Sequence, residues 1–459
     1  MQALLAITRL TIKAAFRFRL VPVLAVLLLG AVILLPAVIK DDGTARGLTQ
    51  IVLTYTLGLT TAMLGMATLW LACGTLASDV EECQMQVVAV KPIARWQIWI
   101  GKWLGIVLLD AALLGLAAGI VYGQMLWRAR QLPPGQQDIL RNEIFVARGS
   151  IKEVPPDIEP DVERIFQERL KNTKLAAMDH TELRKIIREK LKGELQEVPP
   201  GAERTWQLDF SHARGLVRDQ RLFLRAKFFT AQKPASGTIT GFWEAGARES
   251  GRVWRDIMSQ SPETFHEFAI PPGLLDDKGI LTVRFRNEND TSVVFLLEDG
   301  LEVLYREGGF GLNYARGVSI VLCWLALLAA LGLAAASYLS FPVAAFCSLG
   351  ILIVVSSTGT MSQVVEQGTI REVNHETGQV DAATWFDNTT VLAFKGILSV
   401  VNLVKDFSPI DLLSAGRTVS WQMLAKAAGQ IVLLMGGIFA GVGISAFTRR
   451  ELATAQGKT

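Results

Sequence analysis

The sequence predicts a membrane protein: an all-α domain of six transmembrane helices, with an extracytoplasmic helical stalk and β-sandwich inserted into it. Three observations predict this class. Apolar runs of spanning length, about 20 residues, occupy both ends of the chain and are missing from its middle. In the middle the hydrophobic period becomes two, the mark of half-buried strands. Basic residues gather at the mouths of alternate runs, which assigns those mouths to the cytoplasmic side. Composition agrees: half of the 459 residues are hydrophobic and 19% are charged. That is too apolar for an ordinary soluble chain and too charged for one wholly inside a bilayer.

Residues 1–20 contain no acid. On a helical wheel Arg9, Lys13 and Arg17 form one stripe, and Leu4, Ile7, Ala14, Ala15 and Phe18 form the opposite face. A basic amphipathic helix of this kind lies in the headgroup region. The first span, Val21–Ile39, lacks the small-x-small end of a cleaved leader. A second span near 49–76 and a third near 100–126 complete a first block, residues 1–126. Asp110 lies inside the third span. An intramembrane acid is a candidate polar site by default. The weightier reading is that water or a lysine reaches it, about two turns from the cytoplasmic mouth.

Spans two and three are joined by the charged hairpin Ser78–Gly105. Ser78 with Glu81 is a capping-box pattern, which predicts a helix starting there. Asp79, Glu81 and Glu82 then fall in its first turn, where the dipole favours acids. Lys91-Pro92 interrupts it, because Pro92 fits best at the first position of a fresh helix. Arg95 and Lys102 follow, with Trp96, Trp99 and Trp103 among them, as at a membrane–water interface.

The stretch 127–200 is read as the extracytoplasmic stalk. Pairs of prolines punctuate it, and Asp161–Leu195 is a strongly charged helical stretch. Asp179 with Glu182 marks another capping-box-like start. Leu183, Ile186, Ile187 and Leu191 recur at helical spacing. Residues 201–314 are read as the β-sandwich. Leu222, Leu224, Ala226 and Phe228 alternate with Phe223, Arg225, Lys227 and Phe229. Leu281, Val283 and Phe285 do the same further on, and turn-rich segments separate the runs. The stretch Phe268–Asn287 is similar to jelly-roll domains that often bind sugars. Its aromatic residues read first as core, and His212 and His266 as ordinary strand or loop residues.

The last block, 315–459, begins with a fourth span near 315–339. After the turn at Ser340-Phe341-Pro342 comes a fifth, near 343–358. An extracytoplasmic loop, 359–427, has a semi-apolar second half, Thr390–Leu413. Its apolar piece, about 12 residues, is too short to span and suits the membrane edge. The last span, near 428–447, ends in Arg449-Arg450.

Several function classes are disfavoured. A net charge of +3 gives no argument for nucleic acid. Cys73, Cys83, Cys323 and Cys347 all lie in or beside apolar runs, so no disulfide framework holds the polar middle. There is no CxxC, HExxH or histidine cluster to hold a metal, and no cofactor motif. With four histidines in all, no Ser/His/Asp set is suggested. Gly457-Lys458-Thr459 has the tail of a phosphate-binding loop but not its first glycine. No enzyme is expected in this chain.

The ordered set Asp79, Glu81, Glu82, Lys91, Pro92, Arg95, Gly101, Lys102 and Gly105 resembles the coupling helix of type-2 ABC exporter permeases. The resemblance covers both membrane blocks, including the amphipathic start, the six-span order and the semi-apolar piece before span six. The middle departs from it, since the family's simplest members have only a short loop there. The resemblance implies the permease subunit of an ATP-driven exporter. Asp79, Glu81, Glu82, Lys91, Pro92, Arg95 and Lys102 would dock on a separate cytoplasmic ATPase, which binds the ATP. A second permease subunit, a copy or a relative, would complete the translocation path. The location implied is the bacterial inner (plasma) membrane, multi-pass in the lipid bilayer with both termini cytoplasmic. The competing class is a membrane-anchored binding or scaffold protein that displays the β-sandwich without transport. Such an anchor has no need of the Ser78–Gly105 hairpin.

Overall fold

The computed structural model describes residues 2–17, 20–39, 43–81, 93–170, 180–230, 232, 236–248, 251–367, 385–405 and 407–450. The chain divides into two compact units. One comprises Met1–Phe145 and Gly309–Thr459, and the other comprises Val146–Gly308.

The first unit opens with α1 (Gln2–Arg17), α2 (Leu20–Val38), α3 (Ala45–Glu81) and α4 (Arg95–Ala129). α1 lies lengthwise on α4 and runs the same way. A Cβ added at Gly101 would come within 2.8 Å of Ile7, and one at Gly105 within 2.8 Å of Thr11. The Thr8 hydroxyl donates to the Gly101 carbonyl at 3.1 Å. Small residues four apart let two helices approach this closely. Gly101 and Gly105 thus form a groove that receives α1, a contact that the sequence reading of α1 as a headgroup-region helix did not include. Arg9, Lys13 and Arg17 stay on the exposed face, and Phe18 lies outside the described residues.

A second correction concerns Ser78. The helix runs unbroken from Gly58 to Glu81, so Ser78 is inside its end and caps nothing. Asp79 and Glu81 occupy the last turn of a helix, not the first turn of a new one. The capping-box pattern is outweighed because the preceding apolar helix already satisfies the backbone through this turn.

The second unit contains β1 (Val146–Lys152), α5 (Glu159–Leu170), α6 (His180–Gln196), β2 (Glu197–Val198), β3 (Glu203–Asp209), β4 (Leu222–Lys227), β5 (Phe229–Thr230), β6 (Ile239–Ala247), β7 (Arg252–Gln260), β8 (Phe265–Ile270), β9 (Ile280–Asn287), β10 (Val293–Val294) and β11 (Leu301–Gly309). Two four-stranded sheets, ordered β1-β11-β4-β8 and β3-β9-β6-β7, accompany a short one, β2-β10-β5. They share one apolar core, in which Trp243 on β6 meets Phe268 on β8 with ring centroids 5.5 Å apart. The two-residue period is borne out: Leu222, Leu224, Ala226, Leu281, Val283 and Phe285 are all at most 1% exposed.

β1 lies within the stretch read as stalk. Its first four residues, Val146–Gly149, do not alternate because all four are buried, whereas Ser150 and Lys152 beyond them are exposed. Gly149 packs under the Tyr305 ring, Arg148 pairs with Glu267, and Ser150 donates to Glu302 at 2.6 Å. The charged stretch Asp161–Leu195 is two helices, the second beginning at His180, beside the capping-box-like start read from the sequence. α5 and α6 bury Val162, Phe166, Leu183 and Ile187 against each other. Arg184 and Arg188 reach across to Glu163 and Glu159 at 3.1 and 2.7 Å. Exposed pairs of this kind are screened by solvent and add little, so the four apolar side chains hold the hairpin. Asp179 lies outside the described residues.

The first unit resumes with α7 (Phe310–Tyr338), α8 (Phe341–Ser356), α9 (Thr358–Gln367), α10 (Trp385–Lys405), α11 (Pro409–Ser414) and α12 (Trp421–Arg449). Among the described residues, α2 (from Val21), α3, α4, α7 and α12 are each long and apolar enough to cross a membrane. The expected fifth span is different. α8 and the start of α9 pass that test only as a pair bent by 52°. The bend falls at Ser356-Ser357-Thr358-Gly359, where the Ser357 hydroxyl bonds back to the Ile353 carbonyl. Such back-bonding competes with the helix ladder. The apolar piece expected before the last span belongs to a 21-residue helix, α10.

Candidate functional site

Five helix ends meet at one end of the first unit, next to the segment 82–92 that links α3 to α4. Glu82, Lys91 and Pro92 belong to that segment and lie outside the described residues. The other four candidates for coupling all make contacts within the chain.

The last turn of α3 presents carbonyls and two acids, an arrangement its dipole disfavours. Lys102 on α4 answers both. Its ammonium lies 2.6 Å from the Asp79 carboxylate and 2.7 Å from the Thr75 carbonyl. Lys102 is only 6% exposed. A cation this buried is tolerable because a carboxylate and a carbonyl both receive it.

Arg95, in the first turn of α4, binds the far end of the chain. It donates to the carbonyls of Phe447, Thr448 and Arg450 at 2.8, 2.7 and 2.9 Å. These are the orphan carbonyls at the C-terminus of α12, where a cation is favoured. Arg450 repeats the device, donating to Ala336 and Ser337 at the C-terminus of α7. Glu81 takes the Phe341 N–H at 3.2 Å, placing an acid at the N-terminus of α8. α3, α4, α7, α8 and α12 are thus cross-tied by four charged side chains.

The tryptophans divide in a way that the sequence reading did not separate. Trp96 is half exposed, but Trp99 is fully buried beside Gly443, where a Cβ would lie 2.8 Å from its indole nitrogen. Trp103 donates to the Ala326 carbonyl of α7 at 2.9 Å. Two of the three are packing residues of the bundle, not interface markers.

Asp110 stands apart from this cluster. It is 2% exposed, and the Thr68 hydroxyl on α3 lies 2.9 Å from each of its carboxyl oxygens. No hydrogen bond or ion pair between a lysine and Asp110 occurs among the described residues. Lys102, two turns away, is committed to Asp79. Among the described residues it is the Thr68 hydroxyl, not a lysine, that meets Asp110.

Arg450, Thr75 and Thr68 were not singled out from the sequence. Arg449-Arg450 carried a signal, a basic pair after a span, but one that speaks only to sidedness. No group of histidine, cysteine and acid side chains able to hold a metal occurs among the described residues. Comparison with family models, curated proteins and solved structures gave no match.

Proposed function

We propose that this chain is the membrane subunit of an ATP-driven exporter, coupled to a separate cytoplasmic ATPase through the 82–92 segment. The observation that carries the reading is the cross-tied cluster. A displacement of 82–92 reaches α3 and α4 directly, and through Arg95, Arg450 and Glu81 it reaches α12, α7 and α8. A passive anchor has no use for such ties.

Six crossings fit the geometry of the chain's second half. α8 starts at the Glu81 end, whereas the Val419 N–H bonds Asn313 near the other end of α7. The chain between must pass from one end of the unit to the other, and the bent α8–α9 pair begins that passage. An even number of crossings puts both termini on one side. Arg95, Lys102 and Arg450 make that side cytoplasmic. The β-unit, as a jelly-roll-like sandwich, then faces outward. A second permease subunit would complete the translocation path.

Two experiments test this. Purification from the source membranes in mild detergent is expected to bring down a nucleotide-binding ATPase in stoichiometric amount; recovery without one contradicts the proposal. In a cysteine-free background, Ser236→Cys is expected to react with an impermeant thiol reagent on intact cells, and Gln84→Cys is not. The reverse labelling overturns the orientation.

A further inference from the structure

At the other end of the first unit, α7 carries an arginine that no described residue answers. Arg316 lies in the second turn of α7 and is 8% exposed. Its guanidinium stays charged at any physiological pH. It makes no hydrogen bond or ion pair with any described residue, and its Nε is buried without a partner. Its guanidinium lies over the Trp421 ring, with Cζ 5.4 Å from the centroid.

A second buried polar atom without a partner lies on the segment that leads into α12. Thr418 Oγ1 has no hydrogen-bond partner among the described residues. The segment carrying it is pinned over α7 by Asn313, one turn before Arg316. Asn313 donates to the Arg417 carbonyl at 2.7 Å and accepts from the Val419 N–H at 2.6 Å. α12, a 29-residue helix, begins at Trp421, so its positive end points to the same place. Two acids of the adjoining segments have partners of their own. Glu143 faces Arg46 at 3.6 Å, and Asp411 accepts from Ser408 at 2.6 Å.

From these observations we propose that Arg316, Thr418 and the start of α12 form a binding site for a phosphate-class oxyanion. A folded chain rarely buries a cation and a hydroxyl together without partners, because each loses its hydration. An anion with several oxygens answers both. The guanidinium fork supplies parallel N–H donors to two oxygens. The threonine hydroxyl supplies another, and the helix end favours the charge. Trp421, 61% exposed at the end of a spanning helix, belongs at the level of lipid headgroups. The oxyanion therefore comes either from an anionic phospholipid headgroup or from free phosphate. The site stands whether or not the chain transports anything.

The test uses the purified full chain in detergent and reads its thermal unfolding midpoint. One arm compares inorganic phosphate with chloride at matched ionic strength. The other compares short-chain phosphatidylglycerol with phosphatidylcholine. A saturable rise with phosphate or with phosphatidylglycerol is expected, and the arm that responds identifies the source. Arg316→Gln is expected to weaken the response about tenfold or more, as for loss of a charge-assisted hydrogen bond. Thr418→Val, which keeps the cation, is expected to weaken it less. If Arg316→Gln does not fold, Arg316→Lys replaces it: it keeps the charge, loses the fork, and is expected to bind more weakly than the native chain. No rise in either arm, or an arginine variant that responds like the native chain, overturns the proposal.

Discussion

Replacing Glu244 with alanine is expected to destabilise the β-unit by about 3 kcal/mol, the low end for breaking a buried ion pair. Glu244 is 2% exposed on β6 and is the meeting point of three arginines. Arg248 and Arg255 lie 2.6 and 2.8 Å from its carboxylate, and Arg284 lies 2.5 Å away. Without it three guanidinium groups face one another. Arg248 and Arg255 are more than half exposed, so water absorbs part of the cost. Burial raises the affinity of the Glu244 carboxyl for a proton, but the hydrogen bonds from Arg248, Arg255 and Arg284 outweigh it. The result is a carboxyl held below its ordinary value. A group with a depressed folded value stabilises above its unfolded pKa, about 4.3 for glutamate, and loses that contribution as pH falls through the folded value. The gap between the native unit and Glu244→Gln should therefore be full at neutral pH and close in acid. Urea unfolding of a Val146–Gly308 fragment, followed by tryptophan fluorescence, measures both effects. Equal midpoints at neutral pH would show that the arginines are held by solvent alone.

That fragment starts at Val146 because β1 completes the first sheet, and the sequence gives little sign of it. A strand is legible when one face meets the core and the other meets water, as in Leu222–Lys227. β1 is buried on both faces over Val146–Gly149, and there an ion pair replaces the apolar residues that would have marked it. The same logic explains the errors around α3 and α4. Ser78 and Glu81 have the local chemistry of a helix start, but local chemistry is outweighed where an apolar helix already runs through. Gly101 and Gly105 stood out by spacing, yet their use as a groove for α1 depends on contacts about 90 residues apart in sequence. The long apolar helices were legible because crossing a bilayer constrains composition residue by residue. Arg316 was not legible, since one arginine near a span end is what the sidedness rule leads one to ignore.

An ATPase docked on 82–92, as proposed above, would meet the acids at the end of α3. Charges at a partly desolvated protein–protein contact are worth about 2–5 kcal/mol when truncated. A charge in plain solvent is worth less than about 1 kcal/mol. Glu81→Ala combined with Glu82→Ala removes two acids at the α3 end. Glu189→Ala combined with Glu194→Ala removes two from α6, where Glu194 is exposed and pairs only loosely with Lys190 at 3.6 Å. Because Glu81 also holds the Phe341 N–H, thermal midpoints of both variants establish that the bundle is intact. The deciding measurement is ATPase recovered in a pull-down at normalised membrane levels. The account predicts a loss of about 30-fold or more for the Glu81/Glu82 pair and native recovery for the Glu189/Glu194 pair. Equal recovery from both would contradict it.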